Sequence, residues 1–475
     1  MKLTDEQLFV VDEVCSTKYT DKVIAVNSIA GSGKTSTGKA VIEAFQPKKG
    51  FYTAFNKAIV QESSKRFGNI IEARTIHALA YRCIKPTQPI EELNYLTIKE
   101  SIPYEDKATV IEGIDSFYRS ADTNIDDFTK SYTDDEKLQY LISKYADLML
   151  EGKIPPTFNF LLKCLHLMLL DKEIELDFDL FILDECQDTT AVTLEIFKLI
   201  NAKQKVMFGD KFQNIYSFMD TVNAFDELRN IHRMDLTQSF RCNPIIAAKI
   251  QNYGRRYLED NFRYAGNPDI SLSSNSIAYI TRTNAFLIDR MIGLLERKEN
   301  FSLTRNVNEI FALPLAMLNA SEGKPVFDRR YKYLQKEYGK YKLSRTNSTF
   351  FNYLSRTVNN PILDHTARLL QKLQKQSINL YDLKEAVQKI KPNPNTILTT
   401  AHAFKGLEAD IVIIEEDLNK FFTDASSQLL EVNSLLTNPD ITQARLLLPK
   451  SVTEELNTYY VALSRARHTL LNAAV

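Results

Sequence analysis

Two clusters of residues in this sequence have the types and spacing needed to handle phosphate. The first runs Ser28, Ile29, Ala30, Gly31, Ser32, Gly33, Lys34, Thr35, Ser36, a glycine-rich turn ending in a lysine and hydroxyls. Backbone N–H groups of such a turn, with the positive end of a following helix, cradle the phosphates of a nucleotide triphosphate. Lys34 is expected to reach the β- and γ-phosphates, and the Thr35 hydroxyl to complete the shell of a Mg²⁺ ion. The usual pattern opens on glycine, where this chain has Ser28. The second cluster is Phe181-Ile-Leu-Asp184-Glu185-Cys-Gln187-Asp188. There an apolar run delivers Asp184 to the nucleotide, where it holds Mg²⁺ through water. Glu185 beside it is placed to orient and deprotonate an attacking water.

These residues need rigid elements beneath them. Short apolar, β-rich runs recur at Val23–Val26, Phe51–Ala54, Phe181–Leu183, Val206–Phe208, Ile277–Thr281, Ile397–Thr400 and Ile411–Ile414. Each is followed by a turn and a helical pattern, which argues for parallel sheets covered on both faces. The runs fall into two groups, residues 1–235 and 236–475. Each group is interrupted by a polar, helical stretch, 88–165 in the first and 300–390 in the second. The expected plan is a first core from 1–87 and 166–235, and a second from 236–299 and 391–475. Length agrees, because 475 residues exceed what one core accommodates.

Composition narrows the class. A hydrophobic content of 44% with 25% charged residues is that of an ordinary globular protein. The formal net charge of −1 advertises no polyanion partner, so a basic groove would have to be local. Cys15, Cys83, Cys164, Cys186 and Cys242 form no C-x-x-C pair, which fits a reducing compartment without a zinc or iron–sulfur site. The first residues lack the apolar core of a signal peptide. The most apolar stretch, Phe158–Leu170, contains Lys163 and His166 and is too short to span a bilayer; it reads as a buried helix. A cytoplasmic protein with no membrane contact is expected.

The D-E-x-Q-D form of the second cluster resembles the UvrD/Rep/PcrA family of superfamily 1A DNA helicases, and further segments follow that family's order along nearly the whole chain. The resemblance implies an α/β fold of two RecA-like parallel-sheet cores bearing mostly helical insertions, with ATP and Mg²⁺ as cofactors. Leu3-Thr-Asp-Glu-Gln7 is similar to the segment whose glutamine reads adenine. Phe51–Lys57, with Phe55 and Asn56, and Thr75–Leu79, with Thr75 and His77, resemble segments that touch single-stranded DNA. In Phe208–Phe218, Gln213 would sense the γ-phosphate while Tyr216 and Phe218 face the strand. Leu236–Arg241 would stack Phe240 on adenine and bring Arg241 to the γ-phosphate. In Ile397–Asp410, Thr400 and His402 would face the strand and Gly406 and Glu408 the ATP. Tyr460–Arg467 would supply Arg465 as a second arginine finger. Catalytic duty thus falls on Lys34, Asp184, Glu185, Gln213, Arg241 and Arg465. Arginine charge delivered across a cleft is worth on the order of 10³–10⁵ in rate and makes hydrolysis conditional on closure.

Val222-Asn-Ala, Leu236–Arg241 and Arg282-Thr-Asn-Ala are most similar to the F-box DNA helicase branch, although the residues before Gln7 leave no room for an F-box. The family usually has tryptophan at the place of Phe218 and arginine at that of Met219, so a weaker grip on the strand is expected. The resemblance implies an ATP-driven motor, expected to be a monomer, moving 3′ to 5′ on single-stranded DNA to unwind duplexes or displace proteins. Nothing in the sequence reads a 2′-hydroxyl, so RNA stays open as the track. Two other classes compete: a small-molecule phosphotransferase, and a binding module for which hydrolysis is only a timer. The phosphotransferase does not need Gln213, Arg241 and Arg465, and intact Glu185 with two arginine fingers speaks against the timer.

Overall fold

The computed structural model describes residues 2–16, 20–54, 57–216, 219–270, 275–344, 348–358 and 360–475. Phe55, Asn56 and Phe218 lie outside the described residues. The chain divides into two compact units, Met1–Gln238 and Ser239–Val475.

The first unit contains strands β1 (Val23–Ser28), β2 (Gly50–Ala54), β3 (Glu72–Ala73), β4 (Asp177–Asp184), β5 (Thr189–Thr190), β6 (Asn201–Gly209), β7 (Thr221–Val222) and β8 (Ile231–Leu236). Six of them form a wholly parallel sheet in the order β3-β2-β4-β6-β1-β8. Successive side chains of a strand point to opposite faces, and the packing follows that alternation. Ala25, Phe51, Phe181, Leu183 and Met207 pack on one face against helices Ile76–Ile84, Phe158–Leu170 and Ala191–Leu199. Ile24, Val26, Tyr52, Leu180, Ile182, Val206 and Phe208 pack on the other, against Asp5–Cys15, Lys34–Phe45 and Lys57–Phe67. Apolar on both faces, these strands read as unbroken hydrophobic runs, which is why the sequence reveals them. Strand β6 lies between β1 and β4, so the carboxyl ends of all three line one edge. That edge is where open α/β sheets hold ligands.

Helices Tyr104–Arg119, Ile125–Tyr132 and Glu136–Leu150 enclose an apolar cluster of their own, including Val110, Ile114, Phe117, Leu141, Ile142 and Met149. The Leu-rich stretch Phe158–Leu170 is one helix, as expected. Its Lys163 is buried and donates to the carbonyls of Ser120 and Asp122, both at 2.7 Å.

The second unit carries β9 (Ile277–Thr281), β10 (Ser302–Leu303), β11 (Thr396–Thr400), β12 (Ala409–Ile414) and β13 (Ala466–Leu471), parallel in the order β10-β11-β9-β12-β13. Leu398 of β11 joins a cluster with residues of helices Asn284–Glu296, Val307–Ser321, Pro361–Lys375 and Leu380–Gln388. Both sheets extend beyond the apolar runs of the sequence. Strands β3, β8, β10 and β13 stand at sheet edges, where one flank needs no neighbour and polar residues are tolerated.

Candidate nucleotide site and strand-facing residues

The turn after β1 reverses direction through Gly31 (φ 77°) and Gly33 (φ 80°), a left-handed backbone that glycine adopts without steric cost. It opens helix Lys34–Phe45 with Lys34, Thr35 and Ser36 in the first turn. Ser28 is buried with its hydroxyl turned onto the Val26 carbonyl, and the Ile29 N–H bonds the Leu236 carbonyl of the adjoining β8. Gln7 is tied to the same turn. Its Nε2 donates to the Ser32 carbonyl (3.3 Å) and to Thr37 Oγ1 (3.0 Å), while its Oε1 accepts from the Thr4 N–H.

Two positions over in the sheet, Asp184 ends β4 and is buried. Tyr52 of β2, also buried, donates its hydroxyl to Asp184 Oδ2 at 2.5 Å and accepts from the Ser63 hydroxyl. The Glu185 N–H donates to Asp184 Oδ1 at 2.9 Å. Burial, with the Glu185 charge beside it, pushes the Asp184 carboxyl up to about 6. Glu185 holds a left-handed backbone, φ 51°, uncommon for a residue with a side chain and a mark of functional sites. Its carboxylate meets Lys34 Nζ at 3.1 Å. Burial works against the Lys34 charge, but Glu185, Asp184 and Asp210 outweigh it and hold the ammonium above its ordinary range.

The edge continues through residues that motif reading passed over. Gln187 donates to Glu185 Oε2 at 2.6 Å and accepts from the Asp210 N–H at 3.1 Å. Asp210 follows β6 and takes the Gln213 amide at 2.7 Å. Hydrogen bonds therefore connect Lys34 to Gln213, passing through the Asp210 backbone N–H between Gln187 and the Asp210 carboxylate. Gly209 is required there, since a Cβ would lie 2.5 Å from Gln187 Oε1 and 2.8 Å from Cys186 Sγ.

The fit of a Mg²⁺ ion rests on this donor set. Hard oxygens suit the ion, which keeps waters and substrate phosphates as its other ligands. Three acidic groups, Asp184, Glu185 and Asp210, face one lysine, leaving negative charge for a cation to neutralise. The described residues contain no cluster of three or more His, Cys, Asp or Glu able to hold a metal alone.

A cavity of about 50 Å³ separates Asp184 and Glu185 from Thr75 and His77. Thr75 caps helix Ile76–Ile84 by accepting from the Ala78 N–H. His77 Nε2 bonds Asn159 Oδ1 at 3.0 Å, and burial lowers its pKa despite that partner. Tyr216 is half-buried, its carbonyl accepting from the Met219 N–H and the Thr221 hydroxyl.

The second unit gathers a further set. Arg241 Nε pairs with Glu408 at 2.8 Å and its Nη1 donates to the Ser464 carbonyl, with half-buried Phe240 preceding it. Arg465 is 1% exposed, so it is no surface ion pair; it donates to the Val461 carbonyl (2.9 Å) and the Ser464 hydroxyl (2.7 Å). Gly406 takes φ 88° two residues before Glu408. Thr400, buried at the end of β11, accepts from the Ala403 N–H, and His402 follows half-buried. Arg241, Glu408 and Arg465 are thus brought together within this unit, while Lys34, Asp184, Glu185 and Gln213 belong to the other.

The fold and site define a P-loop nucleotide-binding protein, and residues 4–219 match the family described as an AAA domain. Over nearly its whole length the chain is similar to DNA helicases. Within that class it is similar to F-box DNA helicase 1 of Gallus gallus, with 24% identity over 99% of this chain and 49% of that protein. It is likewise similar to F-box DNA helicase protein 1 of Schizosaccharomyces pombe, with 25% identity over 99% of this chain and 57% of that protein. The chain spans about half the length of these curated relatives. No helix among the described residues is long and apolar enough to cross a membrane.

Proposed function

We propose that this protein hydrolyses ATP to move along single-stranded DNA, 3′ to 5′, separating duplexes or displacing bound proteins. The observation that carries the reading is the hydrogen-bonded path from Lys34 through Glu185, Gln187 and the Asp210 backbone and carboxylate to Gln213. It joins the phosphate loop to the segment bearing Tyr216. A small-molecule kinase has no need to link its phosphate loop to such a segment.

In this reading the loop Ser28–Ser36 binds the triphosphate, and its oxygens compete with Glu185 for the Lys34 ammonium. Thr35 and Asp184 would hold a Mg²⁺ ion, which would supply positive charge to the phosphates. Glu185, released from Lys34, takes the proton of the attacking water, while Gln213 contacts the γ-phosphate. Arg241 and Arg465 stabilise the transferring phosphoryl group, Phe240 and Gln7 hold the adenine, and Gly406 and Glu408 border the ATP. The strand is gripped by Thr75, His77, Tyr216, Thr400 and His402, with Phe55, Asn56 and Phe218. Residues 88–165 and 300–390 serve as insertions in cores 1–87 with 166–235 and 236–299 with 391–475. The protein works as a monomer inside the cell.

The test is the ATPase rate with and without a single-stranded oligonucleotide, DNA compared with RNA of equal length. Strong stimulation by DNA is expected; no stimulation by either would overturn the motor. In Lys34→Ala, turnover should fall to background with an unchanged thermal midpoint, and retained hydrolysis would remove the site assignment.

A further inference from the structure

The helical insertion of the first unit reaches two of the three strand-facing segments of that unit through one chain of side chains. His77 Nε2 bonds Asn159 Oδ1 at 3.0 Å, and Asn159 Nδ2 donates to Asp115 Oδ1 at 2.7 Å. Asp115 Oδ2 accepts from Arg119 Nη1, and Arg119 Nη2 donates to Asp220 Oδ2 at 2.8 Å. The Ser116 hydroxyl donates to the same Asp220 oxygen at 3.0 Å. Asp115, Ser116 and Arg119 lie on helix Tyr104–Arg119, and Asn159 on Phe158–Leu170.

Both ends of the chain constrain geometry. Asp220 follows Met219, whose N–H bonds the Tyr216 carbonyl, and its φ of 54° is left-handed, a conformation that aspartate adopts more readily than most residues and that fixes the course of the chain there. Directly after it, Thr221 pairs antiparallel with Thr190 of β5. At the other end, the Asn159 bond and the Phe158 ring, perpendicular to the imidazole with centroids 6.4 Å apart, set the plane of the His77 ring. Arginine suits the middle position because its planar fork spans two carboxylates, which a lysine ammonium cannot do in the same way. The pairs are partly exposed, with 21% of the Arg119 side chain and 51% of the Asp220 side chain accessible. Pairs of that kind contribute little to stability, so position is their main product.

We propose that Arg119 and Asp220 are positioning residues for strand binding, by which the insertion holds His77 and the Tyr216 turn in one register. The inference rests on the strand-motor reading above. It also has a consequence of unexpected sign. Removing an acidic side chain beside a polyanion track strengthens binding if charge alone matters. Positioning predicts the opposite.

The experiment measures affinity for a fluorescent single-stranded DNA oligonucleotide and, separately, for a fluorescent ATP analogue with Mg²⁺, in the full chain. Asp220→Ala should bind the oligonucleotide about tenfold more weakly, equivalent to about 1.4 kcal/mol, with nucleotide affinity within twofold of wild type. Arg119→Ala should lose a similar factor, the double variant little more, and Arg119→Lys should fail to restore wild-type affinity. Unchanged or tighter oligonucleotide binding by Asp220→Ala would overturn the proposal, as would full rescue by Arg119→Lys. Equal loss of both affinities would do the same, since it marks general disruption. If the wild-type chain itself does not bind the oligonucleotide, the strand-motor reading falls and takes this inference with it.

Discussion

Glu185 concentrates the chemistry of the first unit into one side chain. Its backbone is left-handed, its N–H steadies Asp184, and its carboxylate is shared between Lys34 and Gln187. Gly209 guards this arrangement from the β6 side. In Gly209→Ala the new methyl would meet Gln187 Oε1 at 2.5 Å and Cys186 Sγ at 2.8 Å, so Gln187 must leave its place between Glu185 and Asp210. A loss of about 1–3 kcal/mol in urea unfolding and a slower ATPase are expected; wild-type values for both would show that the contact yields freely. Motif reading exposes Lys34, Asp184 and Glu185 because their spacing is local, whereas the bonds of Tyr52 to Asp184 and of Gln187 to Asp210 form only through sheet register. Ala54 stands opposite Asp184 and Leu183 opposite Met207, and no spacing along one strand discloses that. Phe55, Asn56 and Phe218 carry roles inferred from sequence and lie outside the described residues.

Among the elements, helix Phe158–Leu170 hides two ionisable side chains. Burial lowers the His166 imidazole to about 4, with the nearby Lys163 adding to the effect. A histidine held below its unfolded value stays neutral in the fold while the unfolded chain takes up protons first. Its contribution is complete above pH 6.5 and is lost as pH falls from 6.5 toward 4. Between pH 7 and pH 5 the loss is on the order of 1 kcal/mol, allowing for solvent screening. His166→Leu should flatten that part of the denaturation profile, and an unchanged slope would assign the acid sensitivity elsewhere. Element detection from sequence succeeds where both flanks are covered, as for β1, β4 and β6. It misses β8, Ile-His-Arg-Met-Asp-Leu, and β13, Ala-Arg-His-Thr-Leu-Leu, because an edge strand mixes polar and apolar residues and carries no continuous run.

Across the whole molecule, the residues assigned to ATP are divided between two compact units: Lys34, Asp184 and Gln213 in one, Arg241 and Arg465 in the other. A net charge of −1 supplies no general attraction for a polyanion, so the proposed strand binding has to come from placed groups. If Arg465 serves the phosphoryl group, Arg465→Ala should retain nucleotide affinity and lose roughly 10²-fold or more in turnover. A normal turnover rate would confine Arg465 to its bonds with Val461 and Ser464. Equilibrium binding of a fluorescent ATP analogue, run beside the ATPase assay, separates the two results.

The position of β1 also decides when the phosphate loop can exist. Its neighbours are β6 and β8, both made long after it, and the Ile29 N–H waits for the carbonyl of Leu236. Residues 23–28 therefore leave the ribosome with no strand to pair with, exposing an apolar segment until the chain has grown past Leu236. Non-local pairing of this kind is slow and exposes unfinished chains to aggregation. Nascent chains stalled short of β6 should leave Val23–Ser28 open to protease, and chains released beyond Leu236 should protect it. Early protection would mean that β1 finds a temporary partner.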